Sequence, residues 1–378
     1  MDSKKGIKDP LTVGTSLFIS QIILGLFWFY LATILTKSDY GELGFFMSIV
    51  NVAAVVSVLG LGTTVVVYEA KKENIFPASF IVVLITTSIT ALVTFLLYQN
   101  FAISILAMGQ AVFALMISGL NGQKRYGILS KYRILRALGS IIFAIFLYQY
   151  LGITGIILGY FIATLFILKE IHVLLNGRKI NFSALRSKIF FTANSLIMRL
   201  SAVFFYWGDK AIVGIMFGFT LLASYQLAGQ YLLLLEGIPR SITIYLVPQE
   251  SEGQKNKKIK IFAISVSILI ALVSVTVIPF VINAILPEYK DAILPIQILS
   301  LSVIPLTISA IQNSQFLGKE NSRVVLIGGI IQSALYLIFI VLLGTPYGLE
   351  GIALGLLIAT VVRTIFNFVA KLLNSELA

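Results

Sequence analysis

The chain has 378 residues, of which 58% are hydrophobic and 12% charged. A soluble domain carries about 25% charged residues, so a water-soluble globule of this composition could not cover its own surface with polar groups. Cysteine is absent and histidine occurs once, as His172, which excludes disulfides, thiol catalysis and a His- or Cys-ligated zinc site. Lys and Arg outnumber Asp and Glu by 28 to 16, and the net charge of +12 calls for either an anionic partner or a membrane topology.

A membrane span needs about 20 mostly apolar residues, and the sequence predicts twelve such stretches. The first begins near Leu11, after the short charged segment Met1 to Pro10. Its apolar run is too long for a signal-peptide core and no small-residue cleavage site follows, so it reads as a retained helix. Spans two to six begin near Leu43, Ala78, Phe101, Tyr126 and Gly152, the fifth with Lys131, Arg133 and Arg136 near its start. The seventh begins near Ile189 and is interrupted by Asp209-Lys210. The last five begin near Phe219, Ile261, Ala292, Val324 and Gly348. Pro239 predicts a kink in the eighth span, and Pro279 and Pro305 predict interruptions of the ninth and tenth. Too little chain remains for a soluble domain, and the expected fold is an all-α polytopic membrane protein.

Placement of the basic residues gives an orientation. With twelve spans, 22 of the 28 Lys and Arg fall on the side of the N-terminus, three (Lys37, Lys210, Lys290) fall opposite, and Arg199, Arg240 and Arg363 fall within spans. Both termini are therefore expected on the cytoplasmic face of a cytoplasmic (inner or plasma) membrane. A basic surface scattered over separate loops excludes nucleic-acid binding.

An internal duplication organises the chain. Residues 152–166 align without gaps to residues 348–362 with eight of 15 identical, and the same offset pairs Gly122 with Gly318, Phe143 with Phe339 and Leu147 with Leu343. Each half then holds six helices, which predicts two lobes, 1–176 and 177–378, entering the membrane with the same orientation about a pseudo-two-fold axis along its normal. Gly155/Gly159 and Gly351/Gly355 are spaced for close helix packing. The basic stretch from Lys169 to Lys188 reads as a tether between the halves.

Polar groups inside spans need a reason. Arg199, about ten residues into the seventh span with no acidic residue within a turn, reads as a cationic contact for a charged head group, or as partnered on another helix or snorkelling to the cytoplasmic surface. Arg240 stands four residues after Glu236, so the two read either as substrate contacts or as an internal pair. Gln21, Asn51, Gln226 and Gln230 are further candidates for a cavity lining. Arg363 is close enough to the cytoplasmic end to snorkel. Asp209-Lys210 reads as a structural pair rather than a coupling-ion site, and residues 27–30 and 204–207 read as an outer aromatic belt. No catalytic residue, metal site or cofactor is indicated.

Several segments in order carry a resemblance: Ser38-Asp39-Tyr40-Gly41 after the first span, Asp209-Lys210-Ala-Ile-Val-Gly214, Tyr225-x-x-Ala228, Pro287-Glu288-Tyr289-x-x-Ala292 and Leu317-Gly318-Lys319. In these the chain resembles the polysaccharide/O-antigen flippase family of the multidrug/oligosaccharidyl-lipid/polysaccharide exporter superfamily. The resemblance implies a two-lobed carrier, not an enzyme, that moves a polyprenyl-pyrophosphate-linked oligosaccharide to the outer leaflet by alternating access. Its expected partners are that lipid-linked glycan, the bilayer and other polysaccharide-assembly membrane proteins. Family members place cations in both lobes, whereas here Arg199 and Arg240 are both expected in the C-terminal lobe. The alternatives are a multidrug exporter, disfavoured by the lack of an acidic residue inside the first two spans, and a membrane-embedded glycan polymerase, disfavoured by the short outer loops.

Overall fold

Lipid cannot hydrogen-bond a peptide group, so apolar chain of this kind must close its backbone bonds within helices or a closed barrel. The structure is a computed structural model and describes residues 3–203, 207–253, 256–319 and 321–376. Among them the regular elements are helices only. In chain order they are α1 (Ser3–Ile34), α2 (Lys37–Val58), α3 (Leu61–Ala70), α4 (Phe76–Tyr98), α5 (Phe101–Gly122), α6 (Tyr126–Leu165), α7 (Ile171–Leu175), α8 (Phe182–Arg186) and α9 (Ile189–Val203). There follow α10 (Asp209–Phe217), α11 (Phe219–Leu235), α12 (Gly237–Ser251), α13 (Lys257–Ile285), α14 (Ile293–Leu301), α15 (Val303–Gly318), α16 (Ser322–Leu342) and α17 (Gly344–Glu376).

Nine stretches of the described residues are long and apolar enough to cross a membrane. One of them, Tyr126–Leu175, reverses at Gly152 and so supplies two crossings. The broken pairs α9–α10 and α11–α12 supply the seventh and eighth of the twelve predicted spans.

The duplication is visible in backbone angles. Gly152 adopts φ 57°, ψ −138° and Gly348 adopts φ 54°, ψ −134°, a left-handed conformation open to glycine and strained for other residues. Beyond each turn the chain packs against the helix it came from. A Cβ on Gly155 would lie 2.2 Å from the Leu147 carbonyl oxygen, and one on Gly351 would lie 1.9 Å from the Leu343 carbonyl oxygen. Leu147 and Leu343 are repeat partners, so both glycine pairs do in each half what their spacing predicts.

The chain gathers into two compact units, Met1–Phe27 with Phe45–Gly208, and Trp28–Gly44 with Asp209–Ala378. In the first, Val65, Phe76, Leu115, Met116, Leu120 and Leu174 belong to one buried cluster. Glu69 ends α3 and begins α4: its Oε1 accepts from the backbone N–H groups of Ile75 (3.1 Å) and Phe76 (3.0 Å), which α4 leaves without an internal acceptor. Its Oε2 pairs with Arg178 at 2.6 Å, which fastens the stretch after α7. Lys188 pairs with Glu73 (2.8 Å) and lies 4.3 Å above the Tyr68 ring. Hydrogen bonding to Glu73 raises the Lys188 pKa, so that pair persists until alkaline pH removes the proton.

The second unit begins with the tip of the α1–α2 hairpin. Tyr40 is fully buried, edge-on to both Trp28 and Tyr289. A Cβ on Gly41 would collide with the Phe219 carbonyl. These contacts correct the aromatic-belt reading of residues 27–30: Phe27 and Trp28 are core residues, and Tyr30 alone of the four is exposed. Phe204, Phe205 and Tyr206 lie outside the described residues. Of the proline expectations, the breaks of the eighth and tenth spans are present and the interruption at Pro279 is corrected. α13 continues through Pro279, while the breaks at Glu236 and Ser302 fall three residues before Pro239 and Pro305. Each of those prolines thus sits in a first helical turn, where its missing N–H costs nothing.

Candidate functional site

The predicted site residues divide between the units. Arg199 is exposed on α9 in the first unit, where Gln21 is exposed on α1. Asn51 is half-buried on α2 in the same unit, and its amide donates to the Met47 carbonyl at 2.7 Å. Gln226 and Gln230 lie on α11 of the second unit and Glu236 caps its end, all three buried. Gln226 is 0% exposed, and neither amide atom has a hydrogen-bond partner among the described residues. It packs over Gly44, where a Cβ would stand 3.4 Å from its Cγ. Arg240 belongs to α12, but its side chain lies outside the described residues. Arg199, which the sequence assigns to the second half, groups with the first unit.

A further interior cation is hidden in the sequence by its basic neighbours. Arg136, which the placement of basic residues puts on the cytoplasmic side, lies ten residues into α6, about 15 Å along its axis. Its Nη2 donates to Gln110 Oε1 of α5 at 2.7 Å, and the guanidinium stacks 4.6 Å from the Phe113 ring centroid. Among the described residues no carboxylate pairs with it, and its Nε is buried without a partner. One turn on, the Ser140 hydroxyl is likewise buried without a partner. The second unit holds a related pair: Arg363 Nη1 donates to Gln332 Oε1 at 2.6 Å. Gln332 is the repeat partner of Arg136, so one position of the repeat joins an arginine–glutamine bond in each half, although the other members, Gln110 and Arg363, correspond to Leu306 and Ile167. Arg363 is thus tied into α16, which corrects the snorkelling expectation. The signal available in the sequence is this offset pairing, and it becomes meaningful only once Arg363 is seen to reach Gln332.

Asp209 and Lys210 are both buried, with the ammonium 3.5 Å from the carboxylate. The Tyr225 hydroxyl donates to Asp209 and also bonds the Tyr336 hydroxyl, and Lys210 lies 5.8 Å from the Tyr225 ring. The pair therefore sits inside a polar network of α10, α11 and α16. A second carboxylate, Asp291, accepts from Lys37 at 2.6 Å and from the Ser224 hydroxyl at 2.8 Å. Among the described residues no group of three His, Cys, Asp or Glu could hold a metal ion.

A family profile described as polysaccharide biosynthesis protein matches residues 30–261, more than half of the chain. No curated protein matches. Among solved structures, the lipid II flippase MurJ in its inward closed conformation superposes with a TM-score of 0.79 at 14% identity, over 96% of this chain and 87% of that one. The MATE transporter VcmN of Vibrio cholerae gives 0.63 at 17% identity, over 97% and 95%. A MOP-superfamily transporter from Pyrococcus furiosus gives 0.60 at 17%, over 97% and 93%. Identities this low speak for the fold alone, whereas the profile speaks for the family. The chain belongs to the polysaccharide biosynthesis protein family, and it is a multi-pass membrane protein built on the fold that MurJ shares with the MOP-superfamily transporters.

Proposed function

We propose that this protein is a flippase carrying a polyprenyl-pyrophosphate-linked oligosaccharide from the cytoplasmic to the outer leaflet for surface polysaccharide assembly. The observation that carries the reading is Arg136, an arginine deep in a helix bundle with no carboxylate paired to it among the described residues. A charge at that depth costs about 2.5–3.5 kcal/mol even on insertion scales, so it is retained where an anion or a wet cavity repays it. A diphosphate is the complementary ligand: charge-assisted bonds to guanidinium groups lower its barrier while the prenyl tail remains in lipid. Membership of a polysaccharide biosynthesis family supports the glycan part of the substrate.

In this reading the halves 1–176 and 177–378 alternate access, with both termini cytoplasmic. Arg199 and Arg240 add cationic contacts, Glu236 sets the charge of Arg240, and Gln21, Asn51, Gln226 and Gln230 bind sugar hydroxyls. Reconstituted protein should move a fluorescent polyprenyl-diphosphate oligosaccharide across a vesicle bilayer, and a deletion strain should accumulate the lipid-linked glycan on the cytoplasmic leaflet. Accumulation on the outer leaflet, or none, rejects the proposal. Export of organic cations by the same vesicles without glycan flipping assigns multidrug transport instead.

A further inference from the structure

The second unit carries an open groove of about 460 Å³. Its walls come from the α10–α11 junction (Phe217, Thr220, Leu221), the turn before α14 (Asp291) and the turn at Gly348 (Tyr347, Glu350). That volume is within the range of small-molecule clefts, roughly 300–1,000 Å³.

The chemistry of the walls is selective. Asp291 is held at both oxygens, by Lys37 and by Ser224, so its charge is compensated and its position fixed. Lys37 is engaged in that pair, and no arginine or lysine among the described residues lines the groove. Phosphate is therefore unwelcome. Glu350, Thr220 and the Tyr347 hydroxyl take no hydrogen bond among the described residues, and all three residues are exposed. Tyr347 presents its ring at 63% exposure, Phe217 lies half-buried, and Leu221 adds apolar surface. One flat ring face, a free carboxylate and two hydroxyls suit a neutral pyranose. Its C–H face stacks on the ring and its vicinal hydroxyls pair with the carboxylate.

The repeat gives an independent indication. The reversal at Gly348 copies the one at Gly152 in backbone angles. Yet the residues equivalent to Tyr347 and Glu350 are Leu151 and Thr154. The aromatic ring and the carboxylate are thus additions to the second half alone, at positions the turn itself does not require.

We propose that this groove is a sugar-binding subsite for the neutral glycan of the transported lipid, contacted by Tyr347, Glu350 and Thr220. The inference rests on the flippase reading for the source of its sugar. Saturation-transfer NMR on the full-length protein in nanodiscs, with lactose and diacetylchitobiose as probes, should show transfer onto the sugar ring protons. Tyr347→Ala should abolish the transfer, and the near-isosteric Glu350→Gln should weaken it about tenfold, with thermal unfolding unchanged and no competition from inorganic pyrophosphate. Transfer unaffected by either substitution, transfer to neither sugar, or displacement by tetraphenylphosphonium overturns the proposal. Sugar binding lost with flipping intact removes this subsite alone, whereas sugar binding intact with no flipping removes the transport reading.

Discussion

At the scale of single residues, buried charge separates stability from function. Asp209 and Lys210 compensate one another inside a polar network, and Tyr225 adds a hydrogen bond to the carboxylate. Asp209→Ala takes the nearest carboxylate from a buried ammonium and should cost about 3–5 kcal/mol, read as a large drop in the thermal unfolding midpoint in detergent. Asp209→Leu combined with Lys210→Met should recover much of that loss. Arg136 predicts the reverse pattern. Its charge has no carboxylate beside it among the described residues, so Arg136→Met with Gln110→Leu should leave stability unchanged or raised, because an unfavourable burial is removed. The same pair of changes should abolish glycan flipping in vesicles. Lost stability with flipping retained would show that the arginine is structural. Arg199→Ala, at an exposed position, should reduce flipping without changing the unfolding midpoint.

At the scale of elements, glycine placement decides how the helix pairs close. Gly155 meets the Leu147 carbonyl so tightly that a methyl group there must part the two arms of α6. Gly155→Ala should destabilise by about 1–3 kcal/mol. A methyl group added to Gly229 on α11 would meet no atom within 4 Å, so Gly229→Ala should stabilise by up to about 1 kcal/mol through helix propensity alone. Comparing the two unfolding midpoints tests whether close approach, rather than glycine content, holds the hairpin. The hairpins are legible in the sequence because their spacing repeats at one offset. The breaks near Pro239 and Pro305 are legible because a proline removes a hydrogen bond to the preceding turn, so the chain parts at Glu236 and Ser302, three residues earlier, whereas α13 continues through Pro279.

At the scale of the whole molecule, the charge distribution makes a topological prediction that a cysteine-free chain can test without background labelling. Ser183 in α8 and Thr345 at the start of α17 are both exposed. A membrane-impermeant maleimide should label Thr345→Cys in intact cells and Ser183→Cys only after permeabilisation. Labelling of Ser183→Cys from outside would invert the orientation and, with it, the proposed direction of transport.

Apolar run length and the duplicated glycine motif determined the helical crossings and the repeated hairpin from sequence alone, because each depends on local composition or a fixed offset. Tertiary structure decided which polar groups meet. Arg136 reaches Gln110 across two helices, Asp209 reaches Tyr225 and Tyr336, and Lys37 finds Asp291 across 254 positions. No local pattern encodes such pairings, since they are set by which helix faces pack together. The +12 charge that the sequence presents as one property is accordingly two: a surface excess that predicts an orientation, and a few interior arginines whose partners only the fold reveals.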